Sequence, residues 1–325
     1  DRNHPSVVIY SVGNEVPEQR FDEGPETLQM LIDWVKEEDS TRPTTVGCDW
    51  SRWGNKSGFM DTMDVAGYNY PDRYYPNLYE EQHAEYPNRI LLGTENTINE
   101  KNWLAVRDNP YVVGMFLWVG MDYIGESHKW PRRNWEWGLI DIGTFEKSHY
   151  YNWQAYWSDK PMVHAAIHLE EVKAYKWLPI SLGSFWNFKD GEKRTVFVFS
   201  NTKEVELFLN GKSLGRKPVD PNSYKATYVL DYQKGELTAK AYDGNEVVAE
   251  HVLKTAEKAE KIGIKNRREN VPFKSDELLF FAVEVQDENG TRCPEAKNEI
   301  TVSVEGAAEL IGLDSGDAFS HELYK

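Results

Sequence analysis

The apolar residues of this chain change their spacing close to Trp186, and that change limits the folds the chain can adopt. Before it, short apolar runs alternate with helical patterns; after it, apolar and polar residues alternate one by one. Buried strands separated by helices indicate parallel β/α units, whereas period-two alternation indicates antiparallel strands with one face in a core. The chain has 12 tryptophans and none follows Trp186, so composition changes at the same place. We therefore predict an α/β part followed by an all-β part.

The first part alternates five strand-like runs with helical patterns. The clearest helix begins at Pro25, a residue suited to a first helical position, and others are predicted over 77–85, 100–107 and 150–157. Five strands are too few for a closed eight-stranded β/α barrel, but they suit its second part. The predicted strands are Val7–Val12, Thr44–Cys48, Val65–Tyr70, Ile90–Gly93 and Val112–Trp118.

The alternating pattern after Trp186 predicts antiparallel β-sandwiches. Asn210-Gly211 and Asp243-Gly244 are dipeptides that favour tight hairpin turns between alternating strands. After a charged linker, the runs "KIGIKNR", "LLFFAVEVQDENG" and "ITVSVEG" begin another sandwich that we expect to be incomplete. Both chain ends look cut, so we expect an internal piece of a longer protein. The predicted domains are 1–162, 163–256 and 257–325.

Charge and cysteine content exclude several classes of function. The 53 acidic and 37 basic side chains give a net charge of −16, which argues against nucleic acid or an anionic membrane surface as the main partner. No run of eighteen apolar residues occurs, so we expect no membrane span. Cys48 and Cys293 follow no metal or redox spacing and are interpreted as free thiols.

Two glutamates stand out because each ends an apolar run. Glu15 closes "VVIYSVGNE" and Glu95 closes "RILLGTE". In a β/α barrel the functional groups lie at the carboxyl ends of the strands. A pair of carboxylates facing one pocket is the minimum equipment for cleaving a glycosidic bond. The alternative is that each glutamate caps a helix or forms a surface ion pair.

The segments around these glutamates resemble a known family. "DRNHPSVVIYSVGNE" is similar to the acid/base signature of the family-two glycoside hydrolases, and "RILLGTENT" to their nucleophile strand. "VVGMFLWVGMDYIGE" and "WGLIDIGTFEKSHYYNWQAYW" resemble the last strand and the end of the barrel. "EVELFLNGKSLG" and "ELIGLDSGDAF" resemble the immunoglobulin-like domains that follow it in bacterial members. The resemblance implies strands 4–8 of a TIM (β/α)8 barrel, followed by Ig-like antiparallel β-sandwich domains.

The resemblance also implies roles for individual residues. Glu15 matches the general acid/base and Glu95 the nucleophile. Asn14 matches an asparagine that hydrogen-bonds the sugar 2-hydroxyl, and Tyr70 a tyrosine that donates to the nucleophile. Tyr68, two residues earlier, is the less favoured tyrosine, because Tyr70 is the one that ends the strand. Trp118 ends the last strand, where its indole would form the floor of a sugar subsite, although core packing is the alternative.

Two departures from the family pattern bear on cofactor and substrate. The metal-dependent β-galactosidases carry a histidine soon after the nucleophile, and "TENTINE" has none. We therefore expect no cofactor and no metal site on this chain, while any divalent metal would have its ligands outside the chain. Glucuronidases read the uronate with an Asn-x-Lys pair, but the nearest candidate, at Asn134, has Glu136 in place of the lysine.

We therefore favour a retaining exo-β-glycosidase, and among these a β-galactosidase. Within enzymes the rivals are a β-mannosidase, another β-glycosidase of the family or a transglycosylase. From another class, the rival is a non-catalytic carbohydrate-binding protein on a dead barrel. The expected partner is a β-linked oligo- or polysaccharide, the expected location is periplasmic or secreted, and a homo-oligomer stays open.

Overall fold

A computed structural model describes residues 3–74, 77–127, 129–169, 180–266 and 278–324. The chain divides into two compact units, residues 1–121 and 122–325. Within the described ranges, no helix is long and apolar enough to cross a membrane.

The first unit is built on one parallel sheet. Its five strands lie in sequence order, β1-β2-β3-β4-β5, and each pairs in parallel with the next. The strands are β1 (Tyr10–Asn14), β2 (Thr44–Cys48), β3 (Ala66–Asn69), β4 (Leu91–Asn96) and β5 (Val112–Leu117), and the helices are α1 (Gly24–Glu38), α2 (Ser51–Ser57), α3 (Phe59–Thr62), α4 (Pro71–Tyr74), α5 (Leu78–Glu85) and α6 (Glu100–Arg107).

Burial explains why these segments fold as they do. Every residue of β2 and β3 is buried, as expected of central strands covered on both faces. Helix α1 buries Leu28 and Ile32, which lie four residues apart on one face, against the same core as Val46 and Phe59.

The first strand lies later in the sequence than predicted. The apolar run begins at Val7, but strand pairing begins at Tyr10, whose backbone N–H donates to the Pro43 carbonyl. The Val7 carbonyl instead accepts a hydrogen bond from the Arg42 side chain. Because a side chain occupies the Val7 carbonyl, strand pairing does not start there. A prediction from the apolar run alone therefore began the strand three residues too early.

Two helices that the sequence pattern did not predict follow β2. Helix α2 ends at Ser57, and the next residue, Gly58, has a left-handed φ of 86° and separates α2 from α3. Glycine adopts this conformation without a Cβ penalty, so it lets two short helices succeed each other. Their length of seven and four residues leaves too few turns for a visible 3.6-residue period.

The second unit contains the antiparallel sheets. Its elements begin with β6 (Tyr123–Ile124), β7 (Asn134–Trp135) and α7 (Ser148–Trp157). One four-stranded sheet has the order β13-β10-β8-β9 and the other β12-β11-β14-β15. The strands are β8 (Val163–His168), β9 (Leu182–Gly183), β10 (Lys193–Ser200), β11 (Glu204–Leu209), β12 (Lys212–Pro218), β13 (Lys225–Asp231), β14 (Glu236–Asp243) and β15 (Glu246–Lys254).

A continuous apolar core lies between these two sheets. Ile167 and Val198 from one sheet and Leu207 and Leu237 from the other are fully buried in it, together with Trp186. The inward residues alternate with outward ones, for example in the burial pattern of β11. The predicted antiparallel sandwich is therefore present.

The last segment has fewer strands than its sequence pattern predicts. Strands β16 (Lys261–Asn266) and β17 (Phe281–Gln286) pair antiparallel, but "ITVSVEG" at 300–306 forms no regular strand. Its alternating residues are mostly exposed and have no ladder partner among the described residues. Alternation stabilises a strand only when a second layer covers its apolar face, and no such layer is described there.

A pair of histidines in the sandwich makes its stability depend on pH. The His164 ring is 3% exposed and stacks 4.0 Å from the His251 ring. Burial lowers the pKa of His251 to about 4. An unfolded histidine has a pKa of about 6.5, so below that pH the unfolded chain binds more protons than the folded one.

We expect protonation of His251 alone to lower the free energy of unfolding by about 2 kcal/mol as the pH falls from 6.5 to 5. His251→Asn should flatten this dependence, because the asparagine keeps an acceptor for the Ala165 N–H, which donates to His251 Nδ1 at 3.1 Å. Urea unfolding at pH 7 and pH 5 measures both slopes. An unchanged slope in the variant would rule out His251 as the titrating group.

Candidate active site

The predicted site residues of the first unit lie at one edge of the parallel sheet. Glu15 directly follows β1, Glu95 lies near the end of β4, and Trp118 directly follows β5. Main-chain hydrogen bonds to a neighbouring strand hold the first and the last of these: Glu15 N–H donates to Gly47 O at 2.8 Å, and Trp118 N–H donates to Asn96 O at 2.9 Å. Because all five strands are parallel, their carboxyl ends share this edge.

Tyr70 contacts Glu95 through both its backbone and its side chain. Its N–H donates to the Glu95 carbonyl at 2.6 Å, and its phenol is hydrogen-bonded to the Glu95 carboxylate. Burial, followed by that hydrogen bond and the nearby carboxylate charges, raises the pKa of Tyr70 far above its ordinary value. The phenol therefore keeps its proton and donates a hydrogen bond to the Glu95 carboxylate. Tyr68 is fully buried and donates instead to Gln82 Oε1 at 3.0 Å.

Asn69, the residue before Tyr70, contacts the other glutamate. Its Nδ2 donates to Glu15 Oε1 at 3.0 Å and to Asn14 Oδ1 at 3.0 Å. Two consecutive residues at the end of β3 therefore hydrogen-bond the two glutamates, Asn69 to Glu15 and Tyr70 to Glu95. This brings four of the five predicted residues into one connected network.

The pKa of Glu15 is raised, which suits an acid that must hold a proton. Although Glu15 as a whole residue is exposed, protein atoms around its carboxyl group displace water, and this desolvation is the largest cause. The Asn69 hydrogen bond lowers the pKa, while the charges of Asp49 and Glu95 raise it further. Burial outweighs the charge of Glu95 because the desolvation acts on the Glu15 carboxyl group itself.

The backbone is strained at the two residues that carry these contacts. Glu15 has a φ of 48° and Tyr70 a φ of 50°, in the left-handed region that favours glycine. Such conformations cost about 1–3 kcal/mol and occur most often at functional sites. Here each one turns the chain sharply where a strand ends, directly beside the two carboxylates.

Trp118 is half-buried at the end of β5. In the second unit, Trp135 is buried and packs edge-on against Trp137 at 4.6 Å. The guanidinium of Arg132 lies over the Trp137 ring at 5.3 Å and over the Phe319 ring at 5.2 Å. These contacts join the loop at 130–137 both to itself and to the segment near Phe319.

Asn69, Thr94 and Arg73 join the site although the sequence pattern did not single them out. Thr94 Oγ1 donates to Asn69 Oδ1 at 2.6 Å. Arg73 places its guanidinium over the Tyr70 ring at 5.7 Å, and its positive charge lowers the pKa of Glu15. The available signal was an asparagine, Asn69, inside an otherwise apolar buried strand, since buried polar side chains need partners.

Metal ligation has no candidate among the residues that the structure describes. No group of three or more histidine, cysteine, aspartate or glutamate side chains lies close enough together to hold a metal ion there.

Sequence profiles of known families match three stretches of the chain. Residues 1–128 match the glycosyl hydrolases family 2 TIM barrel domain, and residues 262–325 match the glycoside hydrolase family 2 C-terminal domain 5. Residues 191–249 match a domain of unknown function, DUF4982. These matches confirm the predicted fold class of a TIM-barrel part followed by β domains.

Curated relatives and solved structures match over most of the chain. A β-galactosidase of Bacteroides ovatus is 29% identical over 100% of this chain and 45% of its own length. A putative β-glucuronidase of Formosa agariphila is 26% identical over 98% of this chain and 34% of its own. The structure of a β-glycosidase from Bacteroides vulgatus superposes with a TM-score of 0.82 at 26% identity, over 100% of this chain and 46% of that one. The chain thus spans less than half the length of these relatives.

Proposed function

This chain belongs to glycoside hydrolase family 2, and on that premise we propose that the whole protein is a retaining exo-β-glycosidase that acts on terminal β-galactosides. The observation that carries the proposal is the pairing of Asn69 with Glu15 and of Tyr70 with Glu95. Two carboxylates held by separate donors at one sheet edge suit the two roles that glycoside cleavage requires.

In the first step Glu95 attacks the anomeric carbon and the glycosidic C–O bond breaks. The leaving oxygen takes the proton of Glu15, and the raised pKa of this carboxyl group favours its protonated form. Tyr70 donates its hydrogen bond to Glu95 and holds the attacking oxygen in place. The products of this step are the free aglycone and a sugar esterified to Glu95.

In the second step water replaces Glu95. The ionised Glu15 now removes a proton from the water, whose oxygen attacks the anomeric carbon as the bond to Glu95 breaks. Two inversions give net retention of configuration. Asn14 would hydrogen-bond the 2-hydroxyl during both steps, and the half-buried Trp118 would form the apolar floor under the sugar ring.

A β-glucuronide is the second candidate substrate, because relatives named as β-glucuronidases also match the chain. Two observations in the second unit disfavour it. Glu136 stands where a uronate-binding lysine would be expected and is ion-paired with Arg132 at 2.7 Å. Asn134 is fully buried and donates to the Trp135 carbonyl.

The proposal extends to properties of the whole protein. We keep the domain bounds 1–162, 163–256 and 257–325, of which residues 170–179 and 267–277 lie outside the described residues. The first strand of the sandwich, which begins at Val163, supports the first of these bounds. A periplasmic or secreted location and the absence of a resident cofactor complete the proposal.

A panel of p-nitrophenyl β-glycosides that differ only in the sugar tests the function. We expect the full-length protein to hydrolyse the galactoside at least tenfold faster, by kcat/KM, than the glucuronide or the mannoside. Proton NMR of the first product should show the β-anomer before mutarotation, as retention requires. Release of the α-anomer would contradict the assigned nucleophile, and binding without turnover would favour the carbohydrate-binding alternative.

A further inference from the structure

Asn69 is a buried residue that contacts both Asn14 and Glu15. It is the last residue of β3, is 3% exposed, and uses one amide nitrogen to reach two acceptors that follow one another in sequence, Asn14 Oδ1 and Glu15 Oε1. Both distances are 3.0 Å. A single buried side chain therefore touches the two residues that the proposed mechanism brings to opposite parts of the substrate.

Thr94 supports the orientation of the Asn69 amide. Its hydroxyl donates to Asn69 Oδ1 at 2.6 Å, which satisfies the amide oxygen while the amide nitrogen faces the acceptors of Asn14 and Glu15. A flipped amide would point its nitrogen at the Thr94 hydroxyl and present an oxygen to the Glu15 carboxylate. Acceptor would then face acceptor, which is unfavourable in a buried network.

Gly47 leaves the room that this network needs. A Cβ atom there would lie 2.3 Å from Asn14 Oδ1 and 2.8 Å from Asn69 Oδ1, both shorter than real Cβ contacts. Gly47, in β2, therefore carries no side chain at the point where the two amides meet. A larger residue at this position would collide with Asn14 and Asn69, so the glycine leaves room for both amides.

We propose that Asn69, oriented by Thr94, is a positioning residue that fixes both the acid/base carboxyl of Glu15 and the amide of Asn14. This inference rests on the proposed glycosidase function. Because Asn69 engages Oε1 of Glu15, the proton-transferring oxygen is Oε2. Because it also engages Oδ1 of Asn14, that residue presents its Nδ2 hydrogens to the substrate and donates to the 2-hydroxyl oxygen.

Asn69→Ala in the full-length protein removes both donations at once. The alkaline limb of the kcat/KM profile reports loss of the proton on the acid/base group of the free enzyme. Since the lost hydrogen bond favours ionised Glu15, that limb should move to higher pH. Turnover of substrates with poor leaving groups should fall about 10- to 100-fold, and that of dinitrophenyl glycosides far less.

The 2-hydroxyl supplies an independent readout of Asn14. In the wild type, a 2-deoxyglycoside should be a much poorer substrate than its parent. In Asn69→Ala this penalty should shrink about tenfold, because Asn14 is no longer held toward the 2-hydroxyl. A role confined to folding would change neither the pH limb nor this ratio.

Thr94→Val and Thr94→Ser form a matched pair that does not depend on the stability of Asn69→Ala. Valine keeps the shape but removes the hydroxyl, whereas serine keeps the hydroxyl and removes the methyl group. Thr94→Val should shift the alkaline limb of the kcat/KM profile in the same direction as Asn69→Ala, and Thr94→Ser should leave that limb at the wild-type position. A shift in Thr94→Ser without a shift in Thr94→Val would overturn the inference.

Failure of this inference is distinguishable from failure of the proposed function. If the wild type hydrolyses an aryl glycoside but neither Asn69→Ala nor Thr94→Val moves the limb, only the inference falls. If the wild type hydrolyses no glycoside in the panel, the function falls and the inference falls with it.

Discussion

Glu95→Gln in the full-length protein is expected to abolish hydrolysis of every substrate, by at least 10⁴-fold in kcat on the scale that losing a catalytic nucleophile produces. Glutamine cannot form the glycosyl ester, so no substrate escapes the defect, whatever its leaving group. Tyr70 would still hydrogen-bond the amide oxygen of the glutamine, so the contacts around position 95 should be kept. Steady-state kinetics on good and poor leaving groups measures the loss.

Glu15→Gln should produce a different pattern. Substrates with good leaving groups need little protonation, so their first step should survive, while poor leaving groups should lose about 10²- to 10⁴-fold. Dinitrophenyl glycosides should therefore show a burst of aglycone followed by slow turnover, because the second step still needs a base. Glu18→Gln, three residues further along, is the matched control and should behave as the wild type. Equal losses on both substrate types would contradict the separate roles of Glu15 and Glu95.

The sequence predicted well what local patterns encode. Parallel strands covered on both faces are nearly continuous apolar runs, so β2 (Thr44–Cys48) was predicted with its bounds. A carboxylate that closes such a run marks the edge of the sheet where functional groups lie. The helix 100–107 was also predicted with its bounds, and in the structure Asn99 caps it by accepting from the Asn102 N–H. These signals lie within a few residues of one another in the chain.

The sequence predicted less well what depends on distant partners. Asn69 acquires its meaning from Glu15, 54 residues earlier, and from Thr94, 25 residues later. The first strand, predicted to begin at Val7, begins at Tyr10 because the Arg42 side chain hydrogen-bonds the Val7 carbonyl, 35 residues earlier in the chain. Neither contact leaves a local period in the sequence. The burial that dominates the raised pKa of Glu15 likewise arises only when the strands meet.

Residues 1–325 expressed alone are expected to show no glycosidase turnover. The parallel sheet has five strands, and its outer strands β1 and β5 each pair on one side only among the described strands. A barrel of this kind closes with eight strands, and the substrate lies among the loops of all of them. Val113 and Phe116 on β5 are 63% and 56% exposed, which leaves an apolar surface next to an open hydrogen-bonding edge.

Open edges and exposed apolar side chains favour association between copies. Light scattering of the purified 1–325 chain should therefore show oligomers or aggregates, whereas the sandwich over about 163–256 should stay folded because its core lies between its own two sheets. Adding a separately expressed upstream part of the same protein should restore activity if it supplies the missing strands. Turnover by a purified, monomeric 1–325 chain would overturn this expectation, because five strands would then suffice to build the pocket around Glu15 and Glu95.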